Sequence, residues 1–161
     1  MVKSILCWAE TRMDEIIMNI KKLAEEIKQE EGFRNKVYKD SLGFATIVDG
    51  HLIKPDEFFD PKKVYSHQEL DKIFEYDLNI ALGDARLLCS GMELKDEAVE
   101  IITAMCFQLG MPRVKKFKKM FEALRNKDYV NAGFEMEDSL WCRQTPQRVY
   151  RMSEKMKKLK E

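Results

Sequence analysis

Apolar positions recur at helical spacing over most of this chain and at strand spacing in one short stretch. Ile16, Ile17, Ile20, Leu23, Ala24 and Ile27 fall three or four residues apart, so residues 1–31 read as helix with one apolar face. Thr11, with Asp14 three residues later, is a start signal, and Gly32 is a stop. Residues 37–65 change period. Val37, Tyr38, Phe44, Thr46, Ile47 and Val48 are strand formers punctuated by Gly43 and Gly50, and the two prolines of KPDEFFDPKK mark a loop. Helical spacing then resumes. Ser66 with Glu69 forms a capping box ahead of Leu70, Ile73, Phe74, Asp77 and Leu78. From about residue 94 the pattern is helical throughout. LKDEAVEIITAMCFQLG ends at Gly110, and PRVKKFKKMFEALRN continues from Pro112. YVNAGFEMED and RQTPQRVYRMSEKMKKLK follow, the last with Thr145 as N-cap and Pro146 at the first helical position.

This order of elements predicts an α+β, mostly helical fold. A small hairpin lobe (about 32–65) leads through a connecting helix (about 66–86) to a larger helical lobe (about 90–161), and residues 1–20 form a helical extension ahead of the 21–161 domain. A chain of 161 residues with 45% hydrophobic and 35% charged residues can bury a real core without disulfide or metal staples.

Charge changes the picture only in its distribution. Lys+Arg and Asp+Glu number 28 each, yet residues 111–161 hold 14 basic against 7 acidic side chains and residues 1–110 hold 14 against 21. A basic C-terminal half can meet an anionic polymer, cell wall or nucleic acid, or can simply be a solvated helical surface. The KKFKK run is read here as a solvated helix face. Cys7, Cys89, Cys106 and Cys142 have no CxxC or metal spacing, and only His51 and His67 could assist a metal. Reduced thiols and no metal or cofactor are therefore expected. Apolar runs of about four residues are too short for stable membrane insertion, and SILCWA is too short for the core of a signal peptide.

The residues suited to chemistry gather at the hairpin. Glu31 closes the first helix, Asp40 lies nine residues on at a strand turn, and Thr46 lies six beyond it on the return strand. Two carboxyls and a hydroxyl suit glycoside hydrolysis. A protonated carboxyl can donate to a leaving oxygen, while an ionised one, helped by the hydroxyl, orients a water.

The same residues carry a resemblance. Glu31-Gly32, Tyr38-Lys39-Asp40, Gly43, Thr46-Ile47 and Gly50-His51-Leu52 match, without a gap, the active-site stretch of phage T4-type lysozymes. IFEYDL (73–78) resembles the start of that family's interlobe helix. AMCFQLG (104–110) is similar to its Phe-Gln helix before a glycine, and SLWCRQTPQR (139–148) to its Trp…Gln-Thr-Pro-x-Arg segment. The likeness covers roughly residues 21–160. It implies a two-lobe lysozyme-like fold with Glu31 as general acid and Asp40 and Thr46 holding the attacking water. It implies further that Leu52, Phe107 and Gln108 line the sugar cleft, that Arg148 is a charge partner near Glu31, and that His51 and Asp77 form a structural ion pair. Taken as core residues only, Phe107 and Trp141 need no functional role.

Two departures stand out. The family has glycine where this chain has Val48 and an uncharged residue at Asp49. Alternation places Val48 on the face of Thr46 and turns Asp49 away. The family's phage members are also often basic, and this chain is neutral.

The resemblance implies a phage or prophage endolysin acting on peptidoglycan, without nucleic-acid partners. It would be a monomer that accumulates in the host cytoplasm and depends on a holin for release. A lytic transglycosylase, which needs no water-holding pair, is one alternative. A weakly active or inactive lysozyme-fold protein that binds glycan or a virion component is the other.

Overall fold

Strand formers assemble into a sheet where the sequence clusters them. The structure is a computed structural model that describes residues 21–22, 25–26, 34–39, 45–48 and 51–160, with the backbone alone described at 34, 35, 48, 51 and 52. Strands β1 (Arg34–Lys39), β2 (Ala45–Val48) and β3 (His51–Leu52) form an antiparallel sheet in the order β1-β2-β3. The register pairs Arg34 with Val48, Tyr38 with Thr46 and Lys39 with Ala45, then Thr46 with Leu52 and Ile47 with His51. β1 opens at Arg34, ahead of the Val37 start that side-chain preference predicts. An irregularity between Arg34 and Tyr38 absorbs the extra residues, so pairing with β2 recruits a stretch with little strand propensity of its own. Residues 21–22 and 25–26 are helical, as the apolar spacing predicts. The Thr11 start signal, most of the first apolar face and Gly32 lie outside the described residues.

The 54–65 segment is a loop of turns. Glu57 N donates to Lys54 O at 3.0 Å and Lys63 N to Asp60 O at 3.1 Å. The capping box then forms reciprocally, with Ser66 N donating to Glu69 Oε2 at 2.9 Å and Glu69 N to Ser66 Oγ at 3.2 Å. It starts α1 (His67–Leu88), whose buried stripe runs Leu70, Phe74, Leu78, Ala81, Ala85. The chain divides into two compact units, Met1–Ile80 and Ala81–Glu161, and the division falls within α1.

The second unit is helical. α2 (Asp96–Leu109) buries six consecutive residues, Ile101 to Cys106, and so is enclosed on every side over nearly two turns. It ends at Gly110, whose φ of 79° is the left-handed conformation glycine adopts without a Cβ penalty. α3 (Met111–Val114), α4 (Lys118–Arg125), α5 (Tyr129–Glu137), α6 (Leu140–Gln144) and α7 (Pro146–Lys157) follow. α5 packs on α4 and on α7. The approach of α5 to α7 is close: a Cβ on Gly133 would lie 3.0 Å from the Ser153 carbonyl oxygen.

Two local expectations are corrected. The segment from Pro112 to Asn126 is two helices rather than one, broken at Lys115–Phe117. Lys115, Lys116, Lys118 and Lys119 would stack like charges three and four residues apart on a continuous helix. Thr145 precedes α7, but its hydroxyl donates back to Trp141 O at 3.1 Å and caps nothing. Pro146 at the first helical position needs no donor satisfied there, which leaves the hydroxyl available to the preceding helix.

Candidate active site

Thr46 occupies the middle of the sheet, its backbone opposite Tyr38 on one side and Leu52 on the other, and it is 2% exposed. Ile47, on the opposite face by alternation, is fully buried. Both faces of β2 are thus covered at this point, a placement that suits two β-branched side chains. The register makes Leu52, the leucine implied in sugar binding, the direct cross-strand neighbour of the threonine implied in catalysis. Glu31 and Asp40 lie outside the described residues, as do the side chains of Val48, Leu52 and His51 and all of Asp49. The His51 backbone faces Ile47, and Asp77 is half-buried on α1.

The remaining implied residues belong to the second unit. Phe107 and Gln108 sit in the last turn of α2 and are half-buried. The Gln108 amide is distinctive. Its Oε1 and Nε2 are both buried, and neither has a hydrogen-bond partner among the described residues. An amide left with an unfilled donor and an unfilled acceptor is costly unless something else completes it. Arg148 is the third residue of α7, half-buried, just behind Pro146.

A cavity of about 690 Å³ opens within this unit, with Phe117, Met120 and Trp141 in its lining. Trp141 is 5% exposed and meets the Phe117 ring edge-on, with centroids 6.3 Å apart, so it serves the core as expected. The basic KKFKK run is not only a solvated face: Lys116, Lys118 and Lys119 line this cavity too. Sequence reasoning missed that role. The available signal was the phenylalanine set between two lysine pairs, which ties the cations to a packed ring.

Several titratable groups of the second unit are structural. Burial raises the Cys89 thiol to about 11 and the Cys106 thiol to about 12, the latter helped by Asp84 and Cys89 nearby. Both therefore stay protonated and inert near neutrality. Cys89, Cys106 and Cys142 are free and buried. Glu137 Oε1 takes hydrogen bonds from Lys157 Nζ and Ser153 Oγ, each at 2.5 Å. The lysine first and the serine second hold its carboxyl below the usual range, and the carboxylate raises Lys157 in turn. Among the described residues no group of three His, Cys, Asp or Glu could hold a metal ion, and no helix is long and apolar enough to cross a membrane.

Comparison with known proteins gives the family. The family model described as phage lysozyme matches residues 28–158, which takes in both the hairpin stretch and the helical unit. A Dictyostelium discoideum protein named "Probable T4-type lysozyme 2" is 28% identical over 156 residues, covering 83% of this chain and 92% of that protein. The phage T4 protein named "Pre-baseplate central spike protein Gp5" is 30% identical over 154 residues, covering 81% of this chain and 27% of the spike protein. The Pseudomonas phage phiKMV protein named "Peptidoglycan hydrolase gp36" is 29% identical over 128 residues, covering 78% of this chain and 14% of that protein. The fold is the mostly helical α+β expected of such a sequence, and the chain belongs to the phage lysozyme family, as a glycoside hydrolase.

Proposed function

We propose that this protein hydrolyses the β-1,4 bond between N-acetylmuramic acid and N-acetylglucosamine in bacterial peptidoglycan, with inversion. The observation that carries the reading is the family match, which spans Glu31, Asp40 and Thr46 together with Gln108 and Arg148. The names of the relatives, lysozyme and peptidoglycan hydrolase, point to the same substrate. In this reading Glu31, kept protonated, donates to the glycosidic oxygen. Asp40 and Thr46 hold a water on the opposite face of the sugar, and inversion needs carboxyls roughly 6.5–9.5 Å apart. The burial of Thr46 beside Leu52 supports a water-holding role, since a hydroxyl shielded from bulk solvent can bind one water in a fixed place. The orphan amide of Gln108 supports a sugar contact from the second unit. Phe107 adds an apolar surface beside it, Arg148 offsets the site's carboxylates, and His51 with Asp77 forms a structural pair.

Within a host the reading is of a monomeric lysis enzyme, cytoplasmic until a holin gives it access to the wall. This part rests on the resemblance alone. Lysis of induced cells at the same time with and without a functional holin would contradict it.

The test of the chemistry is product analysis on purified peptidoglycan. Hydrolysis releases reducing muramic acid ends, and Glu31→Gln abolishes the release. A 1,6-anhydro product would identify a transglycosylase instead. The similarity to a phage spike protein favours, as second reading, a virion-associated role for the same domain. Binding of sacculi with no bond cleavage would select it.

A further inference from the structure

Two phenylalanines stand side by side in the loop between β3 and α1, and the fold packs only one of them. Phe59 is half-buried and meets the Tyr65 ring edge-on, with centroids 5.5 Å apart. Phe58 is 89% exposed, a larger fraction than any other large apolar side chain among the described residues. The backbone on both sides of it is braced. Lys54 N donates to Glu57 Oε2 at 2.9 Å, and Glu57 N returns a bond to Lys54 O at 3.0 Å. On the far side Asp60 N donates to Tyr65 Oη at 2.7 Å, Lys62 N to Asp60 Oδ1 at 2.9 Å and Lys63 N to Asp60 O at 3.1 Å. Lys63 Nζ lies 4.8 Å from the Tyr65 ring centroid and donates to Glu69 Oε1 at 2.8 Å, which ties the loop to the capping box of α1. The other end is tied to the sheet, where Ile53 N donates to Ala45 O at 3.0 Å. A closed, hydrogen-bonded loop thus holds a bare ring in solvent and forgoes the burial that a phenylalanine could contribute.

We infer that Phe58 is a stacking platform for a sugar ring of the peptidoglycan glycan strand, separate from the residues implied in cleavage and in the sugar cleft. The inference rests on the proposed reading, because it takes the glycan strand as partner, and it adds a subsite to it. A pyranose presents a face of C–H groups, which lies well on the electron-rich face of an aromatic ring. One ring is enough for such a contact, and a ring on a braced loop loses little freedom when it binds. The place is continuous with the candidate site. The loop leaves the sheet directly after Leu52, and Ile53 is bonded to the residue before Thr46. A membrane surface fits less well. Asp56, Glu57 and Asp60 flank Phe58, and residues 54–65 balance these three acidic side chains with three basic ones, so anionic headgroups find no net attraction there. A second copy of the chain fits less well again. Phe58 and Val64 are the exposed large apolar side chains of the loop, far short of the roughly 1,200 Å² that a stable interface buries.

The test compares the wild type with Phe58→Ala, Phe58→Leu and Phe58→Trp. The side chain is exposed, so the melting temperature should hold in all three. Release of reducing ends is measured on soluble, uncross-linked glycan strands that keep their stem peptides, in a long fraction and in the shortest fraction that is cleaved. Binding of the long strands is measured in parallel by calorimetry. On long strands Phe58→Ala and Phe58→Leu should raise KM by roughly two- to tenfold with kcat unchanged, and Phe58→Trp should keep KM at or below the wild-type value. The difference should shrink on the short strands, which do not reach a subsite away from the cleaved bond. An unchanged KM for Phe58→Ala on long strands overturns the inference. So does a Phe58→Leu protein that matches the wild type, since that side chain is apolar but has no ring. Flotation with phosphatidylglycerol vesicles that Phe58→Ala abolishes would give the ring to a membrane instead, and self-association that Phe58→Ala abolishes would give it to a second copy. Normal hydrolysis with no effect at Phe58 sinks this inference and leaves the proposed function standing. Ring-dependent binding of long strands without release of reducing ends does the reverse.

Discussion

Two buried threonines separate the two regions of this molecule. Thr103, in the enclosed helix α2, is fully buried, and its hydroxyl donates to Val99 O at 2.8 Å, one turn back. The helix itself absorbs the polar group, and nothing is left for chemistry. Thr46, in strand β2, is almost as deeply buried, but a strand offers no carbonyl four residues back for its hydroxyl to meet. Burial of the same residue type therefore has different consequences. In α2 the helix itself satisfies the hydroxyl, and in β2 the threonine stands opposite Leu52, its register neighbour. Candidate site residues are thus drawn from both regions, Thr46 from the sheet and Gln108 from the end of α2.

The sharpest way to break this contrast is to remove the groups one at a time. Glu31→Gln is expected to lower turnover by ~10³-fold or more, since a positioned general acid contributes ~10²–10⁴ in rate. Thr46→Val should follow with a loss of ~10²-fold, the cost of misplacing a reacting group. Thr103→Val, the same change in the other region, should leave turnover alone and alter stability by about 1 kcal/mol at most. Steady-state rates on purified peptidoglycan, with melting curves for each protein, decide the matter. A Thr103→Val protein as slow as Thr46→Val would erase the distinction.

Next in size is a core deletion. Met136 on α5 is fully buried. Met136→Ala should cost about 2–5 kcal/mol through lost burial and the cavity left behind. Urea unfolding should show that cost, while turnover at low temperature stays near wild type. A large rate loss in a protein still folded would mean that Met136 does more than fill the core.

The helices were legible in the sequence because their signals are local. Leu70, Phe74 and Leu78 repeat at helical spacing, Ser66 and Glu69 cap each other, and Gly110 takes the positive φ its position demands. The failures came where a tertiary partner decides. Pairing with β2 extends β1 back to Arg34, and Trp141 O claims the Thr145 hydroxyl. The helix breaks at Lys115–Phe117, among lysines whose like charges disfavour a continuous helix, an effect that apolar spacing does not register. In the candidate site the residue types were legible as a motif, from Glu31 to Leu52. The orphan state of Gln108 was not, because it depends on what surrounds the amide in space. Likewise the lysines of 115–119 read as surface until Phe117 and Trp141 closed a cavity beside them.

A pH experiment probes how the helical unit holds together. Glu137 has a folded-state pKa below its ordinary value, so its contribution is present above the unfolded value near 4.3 and is lost as pH falls through the folded one. Lys157 is raised, so its contribution is full below its unfolded value near 10.4 and is lost as pH rises through the folded one. Between these limits the pair joining α5 to α7 is intact. Wild type should melt higher than Glu137→Gln at pH 6, and the gap should close as pH falls below 4. Parallel melting curves down to pH 3 would show that the bridge contributes nothing.

The smallest effect lies in α1, the helix that begins in one unit and ends in the other. Gly83 is exposed in its interior, and a Cβ built there meets nothing within 4 Å. Glycine costs roughly 0.5–1 kcal/mol relative to alanine in such a place, because the unfolded chain has more freedom to lose. Gly83→Ala should therefore raise stability by about that amount, seen as a small rise in melting temperature. Gly133→Ala is the internal control, since its Cβ would meet Lys157 Cγ and press on the Ser153 carbonyl at 3.0 Å, and it should destabilise.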